Sequence, residues 1–285
     1  MSQAILTAPF VCFDELNHLF IELTSANCNL RCKHCYLEFE PYKKIKDFIC
    51  IDKVKKTLID TMKENLKCIY LTGGEPMLHP HFNNILRMCL KRTNVTICTN
   101  GMLINDKKAR FLRKVENETT NELILKLSID DYRETENDAL RGRGNFRKVV
   151  FAVQSLIKYE FNPILSIVNH ENASEKELIK NFQNMFAQMG VELDEINFAI
   201  VPILDKNQKY DDEKMVDVGK CKFDCATSRT LTKNGIYACP VLTNDQRGRC
   251  GVDLTDFAKK HYLETSMCRQ CANFGKNMFI NSWMN

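Results

Sequence analysis

No stretch of this chain approaches the roughly 18 to 20 consecutive apolar residues that a membrane-spanning helix needs. The best run, Phe198 to Leu204, is seven residues long. A surplus of one charge is also missing: 40 Lys and Arg face 36 Asp and Glu, and the basic residues are spread along the chain rather than gathered in one stripe. That argues against a dedicated nucleic-acid binder. The opening MSQAILTAPFVCFDELNHLF lacks a basic n-region and meets Asp14 and Glu15 directly after its apolar patch, so no secretory signal is read there. The expectation is a cytoplasmic protein with no membrane or nucleic-acid partner. No internal repeat or low-complexity tract is evident. Cysteine, in contrast, is abundant, with 14 in 285 residues. In a reducing compartment such numbers point to metal ligands rather than disulfides.

With 44% hydrophobic and 27% charged residues the chain is globular, and its length predicts one large domain with a small one attached. Short β-branched runs alternate with amphipathic stretches from residue 17 to about 204, the pattern of repeated βα units around a mostly parallel sheet. Six strands are predicted: His18 to Leu23, Lys67 to Leu71, Asn94 to Cys98, Leu123 to Ile129, Pro163 to Val168 and Glu195 to Ile203. Helices are predicted near 52–66, 80–92, 105–117, 144–160 and 174–190, the first with Ile51, Val54, Leu58, Met62 and Leu66 on one face. Folds of this kind carry their ligands at the carboxyl ends of the strands. After Leu204 the composition shifts to charged residues, and six cysteines then fall between 221 and 271. The predicted division is an N-terminal extension (1–16), an α/β core (17–211) and a small cysteine-rich domain (212–285).

The first predicted strand runs into Cys28-Asn29-Leu30-Arg31-Cys32-Lys33-His34-Cys35-Tyr36, a C-x3-C-x2-C array. Iron-sulfur cubanes ordinarily take four cysteines, so three leave one iron open to another ligand. A zinc knuckle with His34 as fourth ligand is the alternative. Further on stand Thr72-Gly73-Gly74-Glu75-Pro76, Thr99-Asn100-Gly101, Ser128-Ile129-Asp130-Asp131, the Arg141-Gly142-Arg143-Gly144 segment and Asn169. These pieces, in this order, resemble the radical S-adenosylmethionine (SAM) superfamily. The resemblance implies a partial (β/α)6 barrel, a 4Fe–4S cluster on Cys28, Cys32 and Cys35, and SAM on its open iron. It also implies SAM-binding roles for His34, Tyr36, Gly73, Gly74, Glu75, Asn100, Ser128, Asp130, Arg141 and Asn169. Glu75 would accept from the methionine ammonium, and Arg141 would pair with the methionine carboxylate. Asp131 departs from the glycine expected in many relatives.

The tail carries Cys221, Cys225, Cys239, Cys250, Cys268 and Cys271, with a hairpin-like Lys233-Asn234-Gly235 turn before Cys239. This set resembles the twitch (shortened SPASM) domain of some radical SAM enzymes, with spacing like that of 2-deoxy-scyllo-inosamine dehydrogenases. The resemblance implies a second 4Fe–4S cluster on Cys221, Cys239, Cys268 and Cys271, with Cys225 able to replace Cys221. A zinc ribbon is the alternative. The expected activity is radical SAM oxidation of a small sugar- or cyclitol-like molecule or a peptide, the second cluster accepting an electron. The competing expectation is a peptide-modifying enzyme, a cross-linking maturase or an epimerase with Cys225 or Cys250 as hydrogen donor. A non-catalytic iron-sulfur or zinc scaffold is the third. A reducing system such as flavodoxin or ferredoxin is the expected partner, with a separate peptide-recognition protein if the substrate is a peptide. Cys68, Cys89 and Cys98 are expected to be small core residues, and His79 and His81 structural.

Overall fold

Along each central strand the residues alternate between two chemically different faces. Leu19, Ile21, Ile69, Leu71, Val95, Ile97, Leu125, Leu127, Leu165 and Ile167 are at most 1% exposed and belong to one aliphatic core. The residues between them, Phe20, Cys98, Lys126, Ser128, Ser166 and Val168, line a cavity on the other face. Both faces of a parallel sheet are covered in such folds, so the period of two separates packing from function rather than inside from outside.

The computed structural model describes residues 9–37, 47–205, 223–275 and 277–280. A short strand β1 (Phe10–Cys12) precedes the repeating units β2 (His18–Glu22), α1 (Ile51–Asp60), β3 (Cys68–Thr72), α2 (Phe82–Leu90), β4 (Asn94–Thr99), α3 (Asp106–Glu116), β5 (Leu123–Ser128), α4 (Glu134–Arg141), α5 (Asn145–Lys158), β6 (Ile164–Asn169), α6 (Glu175–Ala187) and β7 (Phe198–Pro202). Then follow α7 (Asp224–Thr227), β8 (Ser228–Thr232), β9 (Gly235–Tyr237), β10 (Arg249–Asp253), β11 (Asp256–Phe257), β12 (Lys260–Tyr262) and α8 (Ser266–Phe274). The six strands β2 to β7 are parallel and in sequence order, the partial α/β barrel that the sequence predicts.

The tail continues that sheet. β8 pairs in parallel with β2, from His18 opposite Ser228 to Ile21 opposite Leu231, and β9, β10 and β11 add on antiparallel. β1, in the segment expected to be an extension, pairs with β12. The boundary expected near 212 lies outside the described residues.

The first helix ends earlier than its periodicity predicts. Thr61 Oγ1 bonds back to the Leu58 carbonyl at 2.8 Å and a 3-10 turn follows, so Met62, expected on the buried face, is 68% exposed. α4 is absent from the predicted elements. Its signals are nonetheless present: Glu134 and Glu136 in the first turn, and Gly142 with φ 120° just past the last residue. No helix among the described residues is long and apolar enough to cross a membrane.

Candidate functional site

The strand ends and the cysteine loop meet over one cavity, lined by Cys28, Cys32, His34, Cys35, Tyr36, Gly73, Gly74, Asn100, Ser128 and Arg141 among others. Gly73 and Gly74 are required there by close packing of backbone on backbone. A Cβ on Gly73 would lie 2.3 Å from the Thr24 carbonyl oxygen, and one on Gly74 2.4 Å from that of Asn27. The amides of Gly74 and Glu75 donate to those same carbonyls at 2.8 and 2.9 Å. The glycine pair therefore clamps the cysteine loop in place.

N–H donors reach the sulfurs of that loop. Leu30 N lies 3.4 Å and Asn100 Nδ2 3.6 Å from Cys28 Sγ, and Arg141 Nη1 lies 4.0 Å from Cys32 Sγ. Burial pushes all three thiols above their ordinary range, while these donors and Arg141 favour the thiolate. Free, partly exposed cysteines on one cavity wall with N–H groups aimed at sulfur fit three ligands of an iron-sulfur cluster. The zinc-knuckle alternative fits poorly, because His34 is engaged elsewhere. Its Nε2 lies 3.2 Å from Asp130 Oδ2, and its ring packs edge-on against His170 at 4.7 Å.

Asp130 is the hub of this side. Its oxygens take Arg141 Nη2 at 2.8 Å, Arg141 Nε at 2.7 Å and the Val168 amide at 3.1 Å. Burial opposes its ionisation, but Arg141, His170 and His34 hold the carboxyl well below the usual carboxylate range. Sequence reasoning missed His170, one residue past the strand-end Asn169. Ligand atoms of His34, Asp130 and His170 lie within 4.8 Å of one another, and the guanidinium on the same carboxylate supplies the positive charge that a metal would bring.

Three of the residues expected to hold SAM are engaged by the protein itself. Arg141 is paired with Asp130 rather than left for a ligand carboxylate, with only Nη1 turned toward Cys32. Glu75 is fully buried: it accepts from Thr99 Oγ1, the Asn100 amide and the Met77 amide, ties β3 to the end of β4, and does not line the cavity. Burial drives its carboxyl up to about 7 against those hydrogen bonds. Asn169 closes a turn on Ala173 through both its amide atoms, also away from the cavity. Asp131, in place of glycine, holds its turn by accepting from the Arg133 amide and guanidinium.

In the tail, Cys225, Cys239, Cys268 and Cys271 line a second, small cavity with His261, Met267 and Leu263. Cys239 follows the β8–β9 hairpin. Cys268 and Cys271 stand three apart on α8, whose first turn is capped by Thr265 at 3.1 Å. Cys221 lies outside the described residues, and Cys225 is the fourth cysteine of this group. Cys225 is therefore buried among ligand-type thiols, and neither it nor Cys250 lines the large cavity, which removes the geometric basis for the hydrogen-donor role expected of them. Cys68 and Cys89 are core residues as expected, but Cys98 lines the large cavity. His79 is structural, its Nε2 2.9 Å from the Ile49 carbonyl and its Nδ1 accepting from the His81 amide.

Comparison with known proteins agrees with this geometry. The chain is 32% identical over 141 residues to the antilisterial bacteriocin subtilosin biosynthesis protein AlbA of Bacillus subtilis (strain 168), covering 49% of this chain and 30% of that protein. It is 28% identical over 186 residues to a cysteine-type anaerobic sulfatase-maturating enzyme of Clostridium novyi (strain NT), covering 58% and 47%. The chain thus spans between about a third and a half of the curated relatives it matches. The solved structure of native anSMEcpe with bound AdoMet superposes with a TM-score of 0.63 at 16% identity, covering 90% of this chain and 83% of that one, a likeness of fold. The model of the Radical SAM superfamily matches residues 23–182, from the end of β2 into α6. With the cysteine loop, its glycine clamp and the ends of β3 to β6 all inside that match, the chain belongs to the radical SAM superfamily, whose enzymes use SAM and a 4Fe–4S cluster.

Proposed function

We propose that the chain is a radical SAM oxidoreductase that removes a hydrogen atom from a peptide in the large cavity, and that a second 4Fe–4S cluster on Cys225, Cys239, Cys268 and Cys271 accepts an electron from the substrate. The observation that carries this reading is a shared wall: Leu204, Val241, Met278 and Phe279 line both cavities. The substrate space and the four thiols are thus walled off by the same side chains. Four cysteines leave no open iron for a ligand, and electron transfer is the role that remains.

When bound, SAM and the first cluster supply the 5'-deoxyadenosyl radical that abstracts hydrogen. The chain's own residues hold and orient: Cys28, Cys32 and Cys35 as ligands, Gly73 and Gly74 as the clamp beneath their loop, and the Asp130–Arg141 pair as its support beside Cys32. Ser128 and Tyr36 stand on the wall of the same cavity. A peptide is favoured over a sugar-like alcohol because the curated relatives are named for bacteriocin biosynthesis and sulfatase maturation. The reading calls for a flavodoxin- or ferredoxin-type reductant.

Anaerobic reconstitution with iron and sulfide is expected to give about eight irons per chain, and SAM with a reductant should yield 5'-deoxyadenosine. Stoichiometric zinc with about four irons would overturn the second cluster. A second reading, quenching of the substrate radical by a thiol, now rests on Cys98, which among the described residues is the cysteine outside the Cys28–Cys35 loop that lines the large cavity. Turnover in deuterium oxide separates the two: thiol quenching leaves one deuterium at the altered carbon, and two-electron oxidation leaves none.

A further inference from the structure

The large cavity holds a lysine that the SAM-binding residues do not use. Lys126 lies in the middle of β5, is 7% exposed and lines the cavity. Its Nζ donates to the Phe279 carbonyl at 3.3 Å, a long contact, and among the described residues no carboxylate lies within ion-pair distance of it. The carboxylate of Asp224, whose charge it feels, is engaged by the amides of Met278 and Phe279 at 2.9 and 2.8 Å. An ammonium taken out of water is costly unless an anion meets it. Among the described residues Asp224 acts on it only from beyond ion-pair distance, and a carboxylate of a ligand in the cavity would meet it directly.

Depth in the barrel decides which ligand. Asn100, whose amide touches Cys28, and Ser128 form the row at the strand ends beside the cysteine loop. Cys98 and Lys126 are register partners two residues further back along β4 and β5, about 7 Å deeper. Phe279 ties the ammonium down at that level. SAM held at the cysteine loop would stand against the upper row, leaving the lower row to the molecule beneath it.

We infer that Lys126 is the subsite for a carboxylate of the substrate, which rests on the proposed reading in taking this cavity as the substrate's. Cys98, across from Lys126 on the same wall, is a built-in reporter. Iodoacetate and iodoacetamide are nearly the same size and differ in charge, and ordinary thiols react more slowly with the anion. In the holoenzyme, with the ligand thiols protected by their clusters, iodoacetate is expected to alkylate Cys98 at least about tenfold faster than iodoacetamide, as read by peptide mapping. Glutarate should slow that labelling, Lys126→Met should abolish the preference, and Lys126→Arg should keep it.

Absence of any preference in the wild-type protein would overturn the assignment. So would protection by inorganic phosphate but not glutarate, or a loss of SAM affinity of about tenfold in Lys126→Met, which would give the ammonium to SAM instead. If Lys126→Met does not fold, the wild-type ratio, glutarate protection and Lys126→Arg still decide. Iron content and 5'-deoxyadenosine formation test the enzymatic reading independently of this ratio.

Discussion

At the head of the barrel, three partly exposed thiols face an open cavity and are met by amides, an amide side chain and the edge of a guanidinium. In the tail, four thiols sit behind Phe223, Leu242, Leu263 and Met267, and burial pushes Cys225 up to about 12 and Cys239 well above its ordinary range. Both sites are built from cysteine, yet one lines a wide cavity among polar groups and the other a small one among mostly apolar groups, with Thr265 and His261 the polar neighbours of Cys268. On the proposed reading ligand number and surroundings agree: three cysteines stand where a cofactor would enter, and four where only an electron would need to pass.

The sharpest way to break this comparison is to remove the open site. A triple Cys28, Cys32, Cys35→Ala variant is expected to form no 5'-deoxyadenosine while keeping the tail's iron. Wild-type rates of SAM cleavage would sink the assignment. Next in size is the sealed site: Cys239→Ala or Cys225→Ala should drop iron from about eight to about four per chain while SAM cleavage persists. If Cys221→Ala has that effect and Cys225→Ala does not, the fourth ligand has been misassigned.

Arg141 sharpens the contrast in a different way. Because its partner Asp130 has no exposed side-chain surface, Arg141→Ala leaves a buried carboxylate without its guanidinium, with only His34, His170 and the Val168 amide beside it, and should cost up to about 3–5 kcal/mol in chemical denaturation. Replacing both partners by apolar residues should cost less. A stable Arg141→Ala protein whose sole defect is weak SAM binding would restore the role expected from the sequence.

The smallest effect lies at the seam between the two regions, where Thr243 of the tail donates to Glu22 of β2 at 2.7 Å. Burial raises the Glu22 carboxyl from 4.5 to about 7. Between those values the folded chain holds a proton that the unfolded chain has lost, so stability present below about pH 4.5 declines as pH rises through about 7. Glu22→Gln should flatten that decline, a difference of at most about 3 kcal/mol between denaturation at pH 4.5 and pH 8. An unchanged slope would count against a buried neutral Glu22.

The strands and most helices were legible because β-branched runs and helical stripes record burial, and the cysteine loop because its spacing is local. What the sequence concealed was direction and partnership. In a parallel strand buried on both faces, Cys98 and Leu127 read alike, although one faces the cavity and the other the core. The motif around Arg141 was visible, but its pairing with Asp130 depends on how α4 returns to the end of β5. Likewise, nothing in residues 228–232 announces that they will extend the sheet beside β2.

That last pairing has a consequence for how the chain is made. His18 must wait for Ser228, about 210 residues later, before the edge of β2 is covered. Contacts of such long range form slowly, and an unpaired strand edge invites association with other chains meanwhile. During synthesis the barrel half can assemble early, its cysteine loop already shaped by Gly73 and Gly74. The nascent chain is then at greatest risk of aggregation after β7 has emerged and before β8 has docked. Chaperone dependence in this interval, and rescue by slower translation past residue 204, are the behaviour such a late-closing sheet implies.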